Sequence, residues 1–416
     1  MADASGDTPL NWDMAGHVLT ALRIGDAIRH GDVAGLAALL RAWSVYPPGY
    51  HLALGAWLAL FGSGGLAVRG FFAATAAVAV LGLAVGLRPR RSLPRATAFL
   101  ACGLILLGTG QYGSLVQSYM IDAAAVSMAM LSLGLIARFV DSDVGSSWIP
   151  VCLAMFATML TKYNVGLPLA VAAGVVAMSA WFGGRRRRAL VVAGAAAVAV
   201  AAWGLFLCWQ DHGWQSFLEF ARNRANTEGL SAGARAVAYA RLYASRNFAW
   251  LGVPFLVALF AMVGISRTRD RFALACTAYG LAYAAAIVNH DYLLDRLLLP
   301  PLVVSIALCG VGMVAVGAWL GSRWPRSGWV CRALLVLGAV AAAGTNRAVV
   351  ERELARMYPP ENQRLEDVSR FVRDHIDGTV LGGGGFASSV RSTTSARTGC
   401  SCLRARLRVP GGQTRV

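Results

Sequence analysis

Residues 11–51 form a polar stretch, with Asp13, His17 and His51 among its members, ahead of a chain that is otherwise mostly apolar. Asp13 precedes His17 by four residues, so on a helix the two side chains would share one face. A carboxylate placed in this way is a candidate general base, although a solvated acid without a chemical role is the alternative. Tyr46, Tyr50 and His51 add hydroxyl and imidazole groups to the same stretch.

Lys162 is the only lysine in the chain and lies between two apolar segments. An ammonium group in such a position costs roughly 2.5–3.5 kcal/mol unless it finds a partner or extends to the membrane interface. A snorkelling lysine at a helix end is therefore one interpretation. The other is a compact positive charge that binds a phosphate at the membrane surface.

Three further charged residues lie where apolar segments begin. Asp122 follows Tyr119-Met120-Ile121, where it could cap a helix or act as a second acid of a site. Arg296 precedes Leu297-Leu298-Leu299-Pro300, and Arg69 follows Gly64-Gly65. Either guanidinium could snorkel to the interface or clamp a phosphate with two hydrogen bonds.

Composition predicts an all-α polytopic integral membrane protein. Hydrophobic residues make up 57% of the 416 positions and charged residues 14%, and the mean hydropathy is +0.55. Many apolar stretches are long enough to cross about 30 Å of bilayer. The net charge of +17 comes from arginines in short clusters between these stretches, which is the pattern of cytoplasmic loops and argues against nucleic-acid binding.

The hydropathy pattern divides the chain into four parts. Residues 1–64 form a polar outer loop, 65–345 a bundle of about ten spans, 346–377 a small outer segment and 378–416 a tail without acids. The tail is expected to be disordered or to be translated out of frame. The predicted spans are 65–87, 96–112, 121–139, 149–161, 164–182, 189–209, 249–265, 272–289, 297–320 and 329–345.

Arginine clusters fall on alternate loops of this arrangement, near Arg88, Arg185, Arg269 and Arg323, and predict that these loops are cytoplasmic. Nearly every candidate residue above would then lie on the opposite, outer face of a bacterial inner membrane. In the outer loop, Leu19 to Leu40 has the spacing of an amphipathic interface helix, or of a plain surface helix. Leu52 to Phe61 is too short to span and predicts a re-entrant or interface helix.

Other chemistry is poorly supported by the sequence. Residues 1–12 carry no signal peptide, and no metal-ligand spacing, glycine-rich phosphate loop or nucleophile elbow occurs. Six cysteines lie in or beside apolar runs, and Cys400 and Cys402 have no second pair with which to hold zinc.

The order of these motifs resembles the GT-C superfamily of membrane glycosyltransferases, especially its protein-mannosyltransferase and aminoarabinose-transferase-like branch, over roughly residues 11–345. Trp12-Asp13-Met14 is similar to the family's Asp-Glu loop motif with the second acid missing, and Asp122 stands where the family has an acid at the start of a span. The other matching segments are Tyr46-Pro47-Pro48-Gly49-Tyr50-His51, Leu60-Phe61-Gly62 with Arg69, Leu160-Thr161-Lys162-Tyr163, and Arg296 with Leu299-Pro300.

This resemblance implies transfer of a sugar, with inversion, from a polyprenyl-phosphate donor to a lipid, glycan or protein acceptor. Asp13 would be the catalytic base, and Lys162, Arg296 and Arg69 would bind the donor phosphate. The sugar and acceptor pocket would comprise Asp122, His17, Tyr46, Tyr50 and His51. No cofactor is specified, and the missing second acid leaves open whether a divalent metal takes part.

Alternatives remain at this point. One alternative is an inactive copy, because family members have a helix before the acidic loop that this sequence does not supply. A lipid-linked-sugar transporter or flippase would need inverted repeats and charges near mid-membrane. A surface-polysaccharide ligase is the third, because the 210–248 loop carries arginines suited to a diphosphate donor (Arg222, Arg224, Arg235 and Arg241). That loop could equally be a connector lying on the membrane.

Overall fold

The computed structural model describes residues 12–42, 47–62, 64–142, 147–222, 231–267, 269–287, 295–324 and 328–357. Within these ranges the regular structure is entirely helical. The all-α prediction is therefore confirmed.

Three short helices precede the bundle: α1 (Trp12–Arg29), α2 (Val33–Arg41) and α3 (Gly49–Phe61). The single helix predicted over Leu19 to Leu40 is wrong, because the chain turns between α1 and α2. Gly31 adopts a left-handed backbone conformation with φ of 65°, which glycine accepts at no steric cost. Asp32 then starts α2 by accepting a hydrogen bond from the Gly35 amide at 2.8 Å.

Helices α1 and α3 run side by side in the same direction. His17, early in α1, contacts His51, early in α3, and Arg29 at the end of α1 contacts Leu58 near the end of α3. Gly55 permits this close approach, because a Cβ there would lie 2.7 Å from the carbonyl oxygen of Ala21. Arg29 donates hydrogen bonds to the carbonyls of Leu58 and Ala59 at the end of α3. The first helix is thus fixed on the third.

The remaining helices build the bundle, with short 3₁₀ helices at Pro89–Arg91 and Asp295–Leu298. Their bounds are α4 Gly65–Leu87, α5 Leu93–Gly108, α6 Gly110–Val116, α7 Ile121–Asp141, α8 Ile149–Thr161, α9 Tyr163–Gly166, α10 Pro168–Phe182, α11 Arg186–Trp209, α12 Gly213–Arg222, α13 Ala232–Asn247, α14 Gly252–Ile265, α15 Arg271–Ile287, α16 Leu299–Arg323 and α17 Gly328–Met357.

Six helices in the described ranges are long and apolar enough to cross a membrane, and up to eight spans result if each bent pair counts as one. The bent pairs are α5 with α6, at 70°, and α13 with α14, at 118°. Two of the ten predicted spans correspond to the shorter apolar helices α8 and α15. A count of ten therefore stays a prediction.

Helix α7 is a central element, with 72% of its most apolar window buried inside the protein. Its first turn carries Asp122 and its last turn lies among arginines: Arg88 pairs with Asp141 at 2.8 Å, and Arg185 donates to the Val140 carbonyl. Two of the arginine-rich loops, at Arg88 and Arg185, thus lie at one end of α7 and Asp122 lies at the other. Which end faces outward stays a prediction.

The C-terminal boundary predicted at residue 345 falls inside α17, which continues to Met357. Buried Glu353 explains why this extension packs, because Arg246 and Arg356 each donate a hydrogen bond to its carboxylate. The division into a bundle, an outer segment and a tail stays a prediction, and residues 358–416 lie outside the described ranges.

Candidate functional site

A buried ion pair joins Asp122 to Lys162. The Nζ atom of Lys162 donates to Oδ1 of Asp122 at 2.5 Å, and the two side chains are 8% and 4% exposed. Burying two charges is favourable only when they are close and well paired. The second carboxylate oxygen, Oδ2, is buried without a hydrogen-bond partner among the described residues, so it remains able to accept one from a ligand.

This geometry changes two interpretations based on sequence. The N-cap residue of α7 is Met120, with no side-chain cap, and the hydrogen bond of Asp122 goes to Lys162 rather than to the helix N-terminus. Lys162 is buried against this acid instead of snorkelling to the interface. A side-chain N-cap and a snorkelling lysine therefore do not describe these two residues, whereas the helix dipole still favours the Asp122 carboxylate in the first turn of α7.

The chain breaks at Lys162, which explains how its side chain reaches α7. Lys162 ends α8 and precedes α9 with an extended backbone, φ −158° and ψ 109°. Its carbonyl accepts hydrogen bonds from the amides of Val165 and Gly166, at 3.0 and 2.9 Å. This local bonding holds the lysine at a sharp helix-to-helix junction, so its position is defined.

Gly49 brings the Tyr-Pro-Pro-Gly segment against the lysine segment. A Cβ atom at Gly49 would lie 2.7 Å from both the carbonyl carbon and the carbonyl oxygen of Leu160. Only glycine allows this distance without a backbone shift. Two sequence motifs that are more than a hundred positions apart thus meet at the start of α3.

Next to this contact, His17, Tyr50 and His51 form a buried cluster. The Nδ1 atom of His17 and the Nε2 atom of His51 share a hydrogen bond of 2.9 Å, and the Tyr50 ring meets both imidazoles edge-on. Burial, and secondly the neighbouring His17, lowers the pKa of His51 from 6.5 to about 3. His51 is therefore neutral at physiological pH.

Arg296 lies in the 3₁₀ helix that leads into α16, and is partly buried. Its charge acts on the Asp122 carboxylate together with Lys162 and, more weakly, His17. The electrostatic environment of Asp122 thus combines residues from α1, the α8–α9 junction and the 3₁₀ helix that precedes α16. Among the described residues, two basic side chains thus face one carboxylate, an arrangement that suits an anionic ligand.

The other predicted residues are less well placed. Arg69 is exposed in the first turns of α4, while Phe71, on another face of the helix, packs on Tyr50 with ring centroids 5.9 Å apart. Asp13 lies in α1 one turn before His17, but its side chain is outside the described parts, as is the whole of Tyr46.

A metal site is not formed within the described ranges: no group of three or more His, Cys, Asp or Glu side chains could hold an ion there. The nearest arrangement is the His17–His51 pair, whose facing nitrogens are hydrogen-bonded to each other. The role of a divalent metal therefore stays open, and no chemical step below depends on one.

Sequence patterns did not reveal the aromatic residues that flank Lys162. Phe217 of α12 packs on Tyr163 and on Trp203, in both cases with ring centroids 5.2 Å apart. The spacing of Trp214 and Phe217, three residues apart on one helical face, is the signal that could have predicted this contact. At least part of the 210–248 segment is therefore packed beside the ion pair.

Links between α2 and the end of α11 keep these parts together. Arg41 pairs with Asp211 at 3.1 Å, and the side chain of Gln210 donates to the Leu40 carbonyl at 3.1 Å. These contacts join α2 to the segment that leads into α12, whose Phe217 packs on Tyr163 next to Lys162.

No protein-family profile matches the chain, and no curated protein matches it by sequence. Its structure is similar to the crystal structure of ArnT from Cupriavidus metallidurans bound to undecaprenyl phosphate, with a TM-score of 0.58 and 17% identity over 85% of this chain and 75% of that one. The apo form of the same protein gives a TM-score of 0.59 and 16% identity, over 88% and 76%. The chain has the ArnT fold.

The predicted GT-C-like architecture is thereby confirmed at the level of the fold. ArnT is an aminoarabinose transferase of GT-C fold, and the similarity to it concerns the polytopic helical fold. At 17% identity the ArnT likeness carries no statement about which sugar or acceptor this chain uses.

Proposed function

We propose that this protein transfers a sugar from a polyprenyl-phosphate donor to a lipid, glycan or protein acceptor at the outer face of the plasma membrane. The observation that carries the proposal is the buried Asp122–Lys162 pair with Arg296 beside it, in a chain with the ArnT fold. One solved structure of that fold holds undecaprenyl phosphate, and the basic side chains of Lys162 and Arg296 favour the same class of anionic ligand.

In the proposed reaction, Asp13 removes the proton from an acceptor hydroxyl or amine as that atom attacks the anomeric carbon. The bond from this carbon to the phosphate oxygen breaks, and the polyprenyl phosphate leaves with the electron pair. Attack opposite the leaving group inverts the anomeric centre. A general base typically contributes about 10²- to 10⁴-fold to such a step.

Lys162 and Arg296 would bind the donor phosphate and stabilise the charge it gains as it leaves. Arg69 would take part at the edge of the site. Oδ2 of Asp122 is suited to accept a hydrogen bond from a sugar hydroxyl, because its other oxygen already holds Lys162. His17, Tyr46, Tyr50 and His51 would line the sugar or acceptor pocket.

Two alternative functions would use the charged residues differently. A lipid-linked-sugar transporter or flippase requires charges that line a path near mid-membrane, whereas Asp122 and Lys162 lie at one end of the central helix. A surface-polysaccharide ligase would bind a diphosphate donor. Arg235, one of the arginines considered for that role, is buried in α13.

The test is sugar transfer by membranes that contain the full chain, supplied with a panel of radiolabelled polyprenyl-phosphate sugars. Asp13→Asn should lower transfer at least about 100-fold with unchanged membrane insertion. Asp26→Asn is the matched control, because Asp26 lies in the same helix and is exposed. Equal rates for the parent and Asp13→Asn would contradict the catalytic assignment.

If the parent chain releases sugar from no monophosphate donor, polyprenyl-diphosphate donors should be tried next, since their use would favour the ligase. Movement of intact lipid-linked sugar across proteoliposomes, without transfer, would favour the transporter. Failure of all three assays would leave an inactive copy.

A further inference from the structure

The end of the bundle remote from Asp122 contains a cavity of about 550 Å³ between α4 and α7. One wall is apolar and comes from the last turns of α4: Leu81, Ala84 and Val85. The rim is basic and is lined by Arg88, Arg90, Arg91 and Arg138, with Ser142 beside them. Its volume lies in the range of small-molecule sites, about 300–1,000 Å³.

Several arginines at this end have structural partners. Arg88 pairs with Asp141, Arg95 donates to the Leu87 carbonyl at 3.0 Å, and Arg185 donates to the Val140 carbonyl. Arg188 lies over the Phe139 ring, 4.8 Å from its centroid. These four guanidinium groups close the ends of α4 and α7, so their presence is explained by the fold.

Arg90, Arg91 and Arg138 differ from that group. Each is exposed, and within the described ranges none of the three guanidinium groups makes a hydrogen bond or ion pair. Three cations therefore surround the cavity mouth. Such a concentration of like charge is stabilised when an anion binds among them.

The apolar wall indicates what kind of anion would bind. Leu81 is 52% exposed and belongs to a candidate membrane span that ends at Leu87, immediately before the basic rim. A free phosphate would bind the arginines alone and make no contact with this wall. A phospholipid places its phosphate at headgroup depth and an acyl chain beside the adjoining helix, so it would satisfy both surfaces.

We propose that this cavity, lined by Leu81, Ala84, Val85, Arg90, Arg91 and Arg138, is a binding site for an anionic phospholipid. Its phosphate binds the three arginines and one acyl chain lies along α4. Arg138 lies 16 residues after Asp122 in α7, or about 24 Å along the helix axis. The site is thus separate from the proposed transferase site and does not depend on that assignment.

The test uses the purified full chain in non-ionic detergent and native mass spectrometry. The probes are phosphatidylglycerol, phosphatidylcholine with the same acyl chains, and inorganic phosphate. The parent should retain phosphatidylglycerol in preference to phosphatidylcholine. Arg91→Gln with Arg138→Gln should weaken phosphatidylglycerol binding about 25-fold, since each arginine near a lipid surface contributes about fivefold.

Two further variants identify the source of the effect. Arg267→Gln with Arg269→Gln removes the same charge from exposed residues that do not line the cavity, and should leave binding unchanged. Ala84→Trp fills the apolar wall without altering charge, and should also weaken phosphatidylglycerol binding. Thermal melting of each variant shows whether it is folded. If Ala84→Trp does not fold, the Arg91→Gln, Arg138→Gln variant alone decides the result.

Three outcomes would overturn the proposal. The first is unchanged phosphatidylglycerol affinity in the Arg91→Gln, Arg138→Gln variant. The second is equal binding of phosphatidylcholine and phosphatidylglycerol by the parent. The third is displacement of phosphatidylglycerol by inorganic phosphate at equal concentration, which would mean that the arginines bind phosphate alone.

Discussion

Oδ1 of Asp122 and Nζ of Lys162 lie 2.5 Å apart although forty positions separate the two residues in the chain. The pair is buried at the N-terminal end of α7, and Arg296 and His17 act on the same carboxylate. Charge balance and hydrogen bonding at this point therefore determine both the stability of the bundle end and the anion-binding capacity proposed above.

Lys162→Met should destabilise the protein and weaken donor binding, because it leaves a buried carboxylate without its ammonium partner. Loss of one member of a buried pair costs about 3–5 kcal/mol. The double variant with Asp122→Asn should regain most of the thermal stability but not the donor affinity. Melting temperature and binding of a polyprenyl phosphate check the two effects. Donor affinity equal to that of the parent in the double variant would show that Lys162 does not bind the donor phosphate.

Gly49→Ala should impair the site without removing any polar group. The added methyl would meet the Leu160 carbonyl at 2.7 Å, so α3 must move away from the segment that carries Lys162. We expect a lower rate of sugar transfer and a modestly lower melting temperature. Gly62→Ala is not a suitable control because its φ is 81°, whereas Gly64→Ala meets no atom within 4 Å. Equal losses in Gly49→Ala and Gly64→Ala would contradict a specific role for the contact.

The His17–His51 pair predicts how stability depends on pH. His51 in the folded protein has a pKa near 3, against 6.5 for the ordinary side chain. Between these values the unfolded chain binds more protons than the folded one, so stability is complete above about pH 6.5 and falls as the pH drops toward 3. The slope from this residue is at most about 1.4 kcal/mol per pH unit.

Melting temperatures between pH 7.5 and 4.5 test this dependence. His51→Gln should show a shallower decline than the parent, because glutamine does not titrate. His30→Gln is the control, since His30 is exposed and bonded only to its own helix. Parallel curves for the parent and His51→Gln would show that the decline arises elsewhere.

Asn247 should contribute to stability at a distance from the ion pair. It is fully buried and makes two hydrogen bonds with Gln111. The backbone amide of Gln111 donates to Oδ1 of Asn247 at 3.1 Å, and Nδ2 of Asn247 donates to Oε1 of Gln111 at 2.9 Å. Asn247→Ala would leave these buried groups unsatisfied, at a cost of about 1–3 kcal/mol. The melting temperature should fall while donor affinity stays unchanged. Ser245→Ala, on the exposed side of α13, should have little effect.

The sequence determined the class of the protein and the position of many helices. Long apolar segments can be satisfied in a membrane only as helices, so composition and hydropathy were enough to predict an all-α bundle. The isolated Lys162 and the acid at Asp122 were recognisable because charges are costly beside such segments. The helix break at Gly31 and the continuation of α17 past residue 345 were missed, since local turns and long-range ion pairs leave little trace in hydropathy.

Only the tertiary structure decided which of these residues meet. Periodicity places residues on a face of one helix, but the partner of Asp122 depends on how α7 packs against the α8–α9 junction. The same holds for His17 with His51 and for Gly49 with Leu160. These contacts join positions tens to more than a hundred residues apart, and their free energy depends on burial and geometry that exist only after the helices have packed.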